Sequence, residues 1–368
     1  MSQFQFTLAT PADDPALRQR MAQDRMEGNI ALSFRREPNY FAGSQVQGET
    51  VQVIKCIDNS NGEIIALGSR LINRAFINGE LTKLGYLADL RVNPDYRRGT
   101  LLARGYKYLK KLHLKNPVPL YFSLILEGNL PAIKNLTGGR AGLPQYHDLG
   151  RIYSPAIHLD LPKSEIKIRG VTFQRGKPEM LPEILAFIKQ WRSQKQFAPD
   201  YNIDDFHSHR LRGLKAEDFY LAIRNNELVG TIAAWEQETF RQTHIESYSP
   251  SLARMRFFYN LLAQVTPLKP LPSPGTMVPY FYLAFVAIAH NSPEIFRALL
   301  RQLYRDRYQG KWHYFIAGLH ENDPLTAVLK EYRRIDAGGR LFAIHYPDGA
   351  DSFNQLDGRI PYIEIGAI

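Results

Sequence analysis

A short basic turn in front of a helix is the first place in this sequence where residue types and spacing could do chemistry. Arg97, Arg98 and Gly99 follow an apolar strand that ends at Val92, and they precede an amphipathic stretch, Thr100–Leu114. The first amide groups of a helix lack partners within it, and the helix dipole adds partial positive charge there. This order predicts a binding site for a phosphorylated ligand. An ordinary strand, exposed basic turn and helix would share the pattern, and that alternative stays open.

The residues around this turn resemble the acyl-CoA-binding core of the GNAT superfamily of N-acetyltransferases. In that family a strand ending in V-x-P-x-(Y/F)-(R/Q) leads into a pyrophosphate-binding loop and a helix. Val92, Pro94, Tyr96 and Arg97 occupy those places here.

The loop itself departs from the family pattern, (R/Q)-x-x-G-x-(G/A). Thr100 and Leu102 stand at its two small positions, and Gly99 comes one place early. Either the loop is one residue shorter, or it is similar to the glycine-poor loop of N-myristoyltransferases, which contain two GNAT folds in one chain.

The resemblance implies a cofactor, acetyl-CoA or another acyl-CoA, and no metal. A backbone amide near Leu90–Val92 would polarise the acyl carbonyl. In the next helix Asn129 and Ala132 match the family, whereas Leu136 stands where a tyrosine commonly protonates the leaving thiolate. The residues assigned to the cofactor are Leu90, Arg91, Val92, Arg97, Arg98, Gly99, Thr100, Leu101, Leu102 and Asn129.

Acyl transfer to an amine also requires a base, because the ammonium form cannot attack. In a regular strand Asp89 and Arg91 share one face and Leu90 the other, and Asp89 is the first choice as base. Glu127, at the end of the next strand, is the second. The resemblance to N-myristoyltransferases adds the C-terminal carboxylate of Ile368 as a third. An ion pair or hydrogen bond at the strand edge is the alternative role for Asp89.

The segment between the first two strands usually forms one wall of the acceptor pocket in this fold. Here it reads SFRREPNYF, polar and aromatic together. The candidates for acceptor contacts are Phe34, Arg35, Glu37, Tyr40 and Phe41. Packing of these side chains into the core at a helix end is the alternative.

The element order of the first half recurs in the second. Asn61-Gly62 and Asn78-Gly79 mark tight turns between antiparallel strands, which lead to the strand, loop and helix described above. We therefore predict an α/β (α+β) fold with two tandem GNAT-like domains, residues 1–162 and 163–368. Each domain is expected to contain a mixed, mostly antiparallel sheet, flanked by helices, with a central parallel strand pair.

The second half differs at the cofactor loop. His290 to Glu294 contains no arginine, and Glu294 places a carboxylate in the first helical turn. That charge would repel a pyrophosphate. The sequence therefore predicts that the second domain is degenerate and contributes to the acceptor site.

Composition excludes several classes of protein. The 368 residues are 44% hydrophobic and 12% aromatic, as in globular proteins, and no apolar run approaches the ~20 residues that span a bilayer. The net charge of +10 comes from scattered basic residues, which does not favour nucleic acid as a partner.

Cys56 is the single cysteine, and we expect it in the core rather than as a nucleophile. A chain with one cysteine forms no internal disulfide, which fits a reducing cytoplasm. No secretory signal is visible, and His207 and His209 lack partners at metal-ligand spacing.

These features predict a cytoplasmic acyl-CoA-dependent N-acyltransferase. The acyl group is expected to be acetyl, and the acceptor a primary amine of a small molecule, peptide or protein. We expect a monomer or weak homo-oligomer without nucleic-acid or membrane partners. A catalytically silent GNAT-fold CoA sensor or binding scaffold is the alternative, favoured by the departures at Thr100, Leu102 and Leu136.

Overall fold

Strands and helices alternate along the first half of the chain. The structure, a computed structural model, describes residues 3–97, 99–139 and 142–368. The strands of this half are β1 (Phe4–Leu8), β2 (Ile30–Arg35), β3 (Thr50–Asp58), β4 (Glu63–Ile77), β5 (Glu80–Val92), β6 (Leu120–Leu126), β7 (Gln145–Tyr153) and β8 (Ala156–His158). Its helices are α1 (Asp14–Gln23), α2 (Tyr40–Gln45), α3 (Leu101–Lys115) and α4 (Leu130–Thr137).

The second half repeats this alternation with a longer insertion before its central strand. Its strands are β9 (Val171–Arg175), β10 (Phe219–Arg224), β11 (Glu227–Trp235), β12 (Gln242–Tyr248), β13 (Tyr280–Ile288), β14 (Tyr314–Ile316), β15 (Leu319–His320), β16 (Arg334–Ile335) and β17 (Gly338–His345). Its helices are α5 (Leu181–Arg192), α6 (Ile203–His207), α7 (Pro250–Ala263), α8 (Pro293–Arg307), α9 (Thr326–Leu329) and α10 (Ala350–Asn354).

Two mixed sheets form around two parallel strand pairs. The first sheet has the order β1-β3-β4-β5-β6-β17-β7-β15, with β5 and β6 parallel. The second has the order β16-β8-β14-β13-β11-β10-β9, with β13 and β14 parallel. The other neighbours in both sheets are antiparallel. The fold class predicted from the sequence is confirmed.

Helices with apolar stripes cover the sheets. In α3, Leu109 and Leu112 are buried with Ile125 of β6. In α8, Leu299 and Leu303 lie in the main core of the second half. Spacings of three and four residues place each pair on one helix face, so the stripe faces its sheet.

The two halves exchange strands. β17 lies between β6 and β7 in the first sheet, and β8 lies between β14 and β16 in the second. A strand from each half is therefore hydrogen-bonded inside the sheet of the other. The boundary between residues 162 and 163 stays a prediction, and β15 and β17 lie beyond it although they belong to the first sheet.

Two predicted strands differ from the structure. The sequence predicts one strand over Arg151–Asp160, but β7 ends at Tyr153 and the chain enters the other sheet as β8. Pro155 lacks an amide hydrogen, so it interrupts the ladder at this crossing. A final strand over Ile360–Ile365 is also wrong, because this segment makes a single bridge from Pro361 to Gln196.

Acid is expected to destabilise the protein through two histidines, the buried His158 and the half-buried His313. Burial, and then the Arg333 guanidinium, lowers the pKa of His158 in β8 to about 4. Burial, and then Lys269, lowers the pKa of His313 to about 4. Both rings are neutral when folded, whereas an unfolded histidine takes up a proton near pH ~6.5. The stabilisation is therefore complete above about pH 6.5 and is lost as the pH falls towards about 4.

We expect each ring to contribute roughly 2 kcal/mol to this loss, since solvent screens part of the charge. Urea unfolding measured across this pH range checks the prediction. The His158→Gln/His313→Gln variant should lose less stability on acidification than the natural chain. Equal pH dependence of the two proteins would contradict it.

Candidate active site

The parallel strands β5 and β6 separate soon after they begin. They pair over Leu84–Tyr86 and Leu120–Phe122 and then diverge. At Asp89 the backbone has a φ of 56°. Between Ala88 and Arg91, β5 contains one residue more than the part of β4 that faces it. Such a β-bulge bends its strand and interrupts the ladder, so backbone groups on this stretch face the gap between β5 and β6. The bulge also ends the regular alternation that the sequence predicted for this strand.

A cavity of about 880 Å³ occupies this gap and extends on both sides of the first sheet. On the helical side it is bounded by α3, where Leu102, Gly105 and Tyr106 line it. On the other side it reaches the two-stranded ribbon of β2 and β12, which pair antiparallel. β2 belongs to the first half and β12 to the second, so both halves form the cavity wall.

Asp89 lies on the cavity wall and forms a buried ion pair. Its Oδ2 accepts a hydrogen bond from Arg36 at 2.6 Å, and Ser69 Oγ lies 3.4 Å from the same oxygen. Arg36 also donates to Ser44 Oγ at 2.6 Å and to Gln47 Oε1 at 2.9 Å. Three acceptors therefore fix the guanidinium, and the guanidinium in turn fixes the Asp89 carboxylate beside the bulge.

Two tyrosines next to this ion pair keep their protons. Burial, and then the charge of Asp89, raises the pKa of Tyr40 to about 12. The same two causes raise the pKa of Tyr86 above its ordinary value. Tyr86 lines the cavity and its ring stacks on Phe122 at 4.5 Å. Its hydroxyl is therefore a hydrogen-bond donor at the point where β5 and β6 diverge.

Glu127, the second candidate base, does not line the cavity. Its backbone amide donates to Gly338 O at 3.0 Å, and its carboxylate forms a bidentate ion pair with Arg151 of β7. Gly338 has no side chain, so Arg151 reaches across β17 to the end of β6. The carboxylate is held at an exposed sheet edge.

The start of α3 lies at the edge of the cavity. Leu101 and Leu102 line it, as do Leu90, Arg91, Val92 and Asn129. Thr100 occupies the N-cap position without a side-chain hydrogen bond, and the first turn contains no acidic residue. Gly99 has a φ of 82°, and a Cβ there would meet no described atom within 4 Å. Arg98 lies outside the described residues.

Arg97 is exposed beside this helix start. Its Nε donates to Val92 O at 3.1 Å, and its terminal nitrogen lies 3.3 Å from Asp24 Oδ1. Arg91 also approaches Asp24, at 3.7 Å. The two arginines thus share one carboxylate, which holds Arg97 close to Arg91 of the cavity wall.

The acceptor candidates divide into two groups. Phe34 and Arg35 line the cavity, and Arg35 is held by Glu246 of β12 at 2.8 Å. Their role in acceptor binding stays a prediction. Glu37, Tyr40 and Phe41 do not line it.

Packing explains why these last three residues fall away from the cavity. Glu37 forms an ion pair with Arg18 of α1. Tyr40 is fully buried where α2 begins, and the Phe41 ring packs edge-on against it at 5.9 Å. The aromatic pair therefore anchors α2 to the core.

The central strand of the second half repeats the bulge. β13 pairs with β14 over Tyr280–Tyr282, and Phe285 has a φ of 53°, five residues after the start of this pairing, as Asp89 does in β5. Here the backbone amide of Phe285 donates to Glu364 Oε2 at 3.0 Å. Among the described residues no carboxylate accepts from the Asp89 amide in this way.

Glu364 is itself part of a buried cluster. It forms an ion pair with Arg192 of α5 at 2.5 Å, and the Tyr362 hydroxyl donates to it at 3.1 Å. Ser292 caps the following helix, α8, by accepting from the Ile295 amide at 3.4 Å. The positions that are open in the first half are thus filled by the chain itself in the second.

Several cavity residues were not predicted from the sequence. Arg36 directly follows Arg35, the last residue of β2. Neighbouring side chains of a strand point to opposite faces, so regular alternation does not predict that both arginines line the cavity. Tyr146 of β7 and Tyr106 of α3 bring their hydroxyls within 2.5 Å of each other on the cavity wall. Arg241 donates to the main-chain oxygens of Gly366 and of Ile368, the third candidate base, which also lines the cavity. These pairs join residues distant in the sequence, so no local pattern marks them.

No family model and no curated protein sequence matches this chain. Solved structures do resemble it. A GCN5-related N-acetyltransferase from Sphaerobacter thermophilus superposes with a TM-score of 0.56 and 13% identity, over 93% of this chain and 96% of that one. N-myristoyltransferase of Saccharomyces cerevisiae, crystallised with myristoyl-CoA, superposes with a TM-score of 0.61 and 11% identity, over 99% and 86%. A GCN5-related N-acetyltransferase from Anabaena variabilis gives 0.53 and 12%, over 92% and 72%.

At these identities the likeness concerns the fold. It covers both halves, and both halves contain the parallel pair and the bulged central strand. The chain therefore has two tandem GNAT folds, as the sequence predicted.

Proposed function

We propose that this protein is an acyl-CoA-dependent N-acyltransferase whose reaction centre lies at the Asp89 bulge. The observation that carries the proposal is the gap between β5 and β6, which leaves backbone groups of residues 87–92 on the wall of the cavity. A preorganised amide at this point would stabilise negative charge on an acyl oxygen. In the second half the corresponding amide is bound by Glu364.

The residues around α3 fit an acyl-CoA. Gly99, Thr100 and the first amides of α3 would hold the pyrophosphate, because the described part of this helix start has neither a side-chain cap nor an acidic residue. Arg97 would add charge. Leu90–Val92 and Asn129 would line the pantetheine path. Bound acyl-CoA would supply a thioester, whose carbonyl carbon accepts the amine while the thiolate leaves.

Asp89 would act as the base for the acceptor amine. It is the single carboxylate side chain among the lining residues that the structure describes. Four arginines, Arg35, Arg36, Arg91 and Arg241, line the same cavity. Each of the four has an oxygen partner, so these arginines would position Asp89 and the acceptor, and Asp89 would take the proton of the amine.

The cavity admits acyl groups larger than acetyl. Beneath α3 it is lined by Ile54 and Cys56 of β3 and by Gly105 of the helix, where a Cβ would lie 3.2 Å from Phe6. Burial raises the pKa of the Cys56 thiol to about 11, so this side chain is an apolar wall rather than a nucleophile. Acetyl-CoA remains the simplest donor. Because this space is apolar, acyl-CoAs with longer chains should be tested together with acetyl-CoA.

The second half would serve the acceptor rather than a second cofactor. It contributes Thr243 and Ile245 of β12 and Tyr280 and Tyr282 of β13 to the cavity wall. Glu364 and Ser292 occupy the positions that a second acyl-CoA would need.

Calorimetric titration with acetyl-, octanoyl- and myristoyl-CoA tests donor binding, and release of free thiol with a panel of amines tests transfer. We expect one acyl-CoA per chain and amine-dependent thiol release. Binding without release would support the CoA sensor or scaffold instead. Absence of binding to every donor would overturn the assignment.

Arg97→Glu is expected to weaken acyl-CoA binding roughly 10- to 100-fold, because it replaces a charge-assisted contact by repulsion at the pyrophosphate. The exposed Arg169, in the segment between the halves, provides a control of equal charge change as Arg169→Glu. Equal affinities of the two variants would place the pyrophosphate elsewhere.

A further inference from the structure

Helix α7 exposes most of its large apolar side chains to solvent. Phe257 and Phe258 are each 69% exposed and Val265, just after the helix, is 81% exposed. Met255, Leu261 and Leu262 on the same side are also largely exposed. The spacing of these residues places them on one broad stripe of the helix, which we call the α7 stripe. An apolar stripe in a folded protein normally faces the core.

Two polar residues of α7, Arg256 and Asn260, face the protein instead. Arg256 donates to Leu271 O and Pro272 O at 3.2 and 3.1 Å, and to Ser273 Oγ at 2.8 Å. Asn260 exchanges two hydrogen bonds with Leu271, at 3.0 and 2.8 Å. These bonds fix the helix on the proline-rich segment that follows it. The outward direction of the α7 stripe is therefore enforced by specific contacts.

The segment that carries the stripe has a positive net charge. Between Glu246 and Glu294 the sequence contains no Asp or Glu, whereas Arg254, Arg256 and Lys269 lie within this segment. Arg254 is exposed on the side of the stripe. Contiguous aromatic and aliphatic side chains flanked by arginine and lysine characterise helices that lie in the interface of anionic membranes.

The opposite side of α7 borders the cavity. Tyr248, at the end of β12, and Leu252 of α7 line the cavity together with Leu271 and Pro272. The helix that carries the stripe is therefore itself part of the cavity wall.

We propose that the α7 stripe binds the surface of an anionic lipid bilayer. The charge of the segment and of the whole chain, +10, complements such a surface. Among the described residues no helix is long and apolar enough to cross a membrane. Surface binding needs no such helix, so this proposal revises the expectation, drawn from the lack of a spanning run, that the protein has no membrane partner. An acceptor amine with an apolar body could then enter from the bilayer, a consequence that rests on the proposed function.

The test is co-sedimentation of the full chain with vesicles of phosphatidylcholine, with and without phosphatidylglycerol. We expect binding to the vesicles that contain phosphatidylglycerol. The Phe257→Gln/Phe258→Gln/Leu261→Gln variant should bind at least roughly tenfold more weakly, because its side chains no longer partition into the interface. These side chains are exposed, so the variant should unfold at the same urea concentration as the natural chain.

Two further variants sharpen the result. Leu114→Gln removes an equally exposed leucine from α3 and should leave vesicle binding unchanged. Arg254→Glu should weaken binding to phosphatidylglycerol vesicles, and added salt should do the same. A natural chain that stays in the supernatant, or a triple variant that binds as well as the natural chain, would overturn the proposal. So would a lipid-independent dimer abolished by the triple substitution. Acyl-CoA binding enters none of these measurements, so the proposed function is judged separately.

Discussion

Asp89→Asn is expected to lower kcat/KM for acyl transfer about 100-fold or more, with acyl-CoA affinity retained. The amide of asparagine cannot take a proton from the acceptor amine, and positioned general bases contribute ~10²- to 10⁴-fold. The side chain keeps its shape beside the bulge, so donor binding along β5 should persist. Thiol-release kinetics and calorimetry with the same acyl-CoA measure the two effects.

A second variant separates catalysis from charge balance. Asp89→Asn leaves the buried Arg36 guanidinium without its counterion, and a shift of Arg36 could itself lower activity. The Asp89→Asn/Arg36→Met double variant removes both charges. If Asp89 is the base, the double variant stays inactive. Recovery of activity in it would show that Asp89 serves to neutralise Arg36.

Glu364→Gln is expected to lower the free energy of unfolding by about 3–5 kcal/mol, because it leaves a buried guanidinium uncompensated. Arg192 is fully buried against Tyr362 and Phe285 as well as Glu364, so it has no path to solvent. Urea unfolding followed by tryptophan fluorescence measures the change, since Trp235 belongs to the same core cluster as Phe285.

Glu127→Gln is the matched control for this loss. Its ion pair with Arg151 is exposed, and surface pairs contribute only ~0–1 kcal/mol. The same variant should leave acyl transfer unchanged, because Glu127 does not line the cavity. Similar destabilisation by the two substitutions would show that burial of the Glu364 cluster adds nothing to its strength.

The elements of the fold could be predicted where their signals are local. The apolar run of β6 and the stripe of α3 lie within single segments, and the Asn-Gly turns before β4 and β5 specify their own backbone geometry. The strand exchange has no such signal. β17 is largely buried, but nothing in its own residues, GGRLFAIH, shows whether it joins the first sheet or the second, so tertiary packing decides.

Residues that the sequence singled out along β5 and at the start of α3 line the cavity, and their roles stay predictions. Phe34 and Arg35 line it too, whereas Tyr40 and Phe41, marked by the same polar and aromatic character, pack inward. The bulge at Asp89 could not be anticipated, since aspartate tolerates a positive φ without requiring it. The ion pair of Asp89 with Arg36 spans 53 residues, and the Phe285–Glu364 contact spans 79.

The exchange of β8 and β17 limits how this protein can move. Many two-lobed enzymes close on their substrates by a hinge, which requires lobes joined by few contacts. Here three short connections cross between the sheets, from Tyr153 to Ala156, from Ile316 to Leu319 and from Ile335 to Gly338, and a swing of one lobe would strain all three. We therefore expect a fixed chamber in which reactants come and go through rearrangement of rim segments, while the distance between the lobes stays constant.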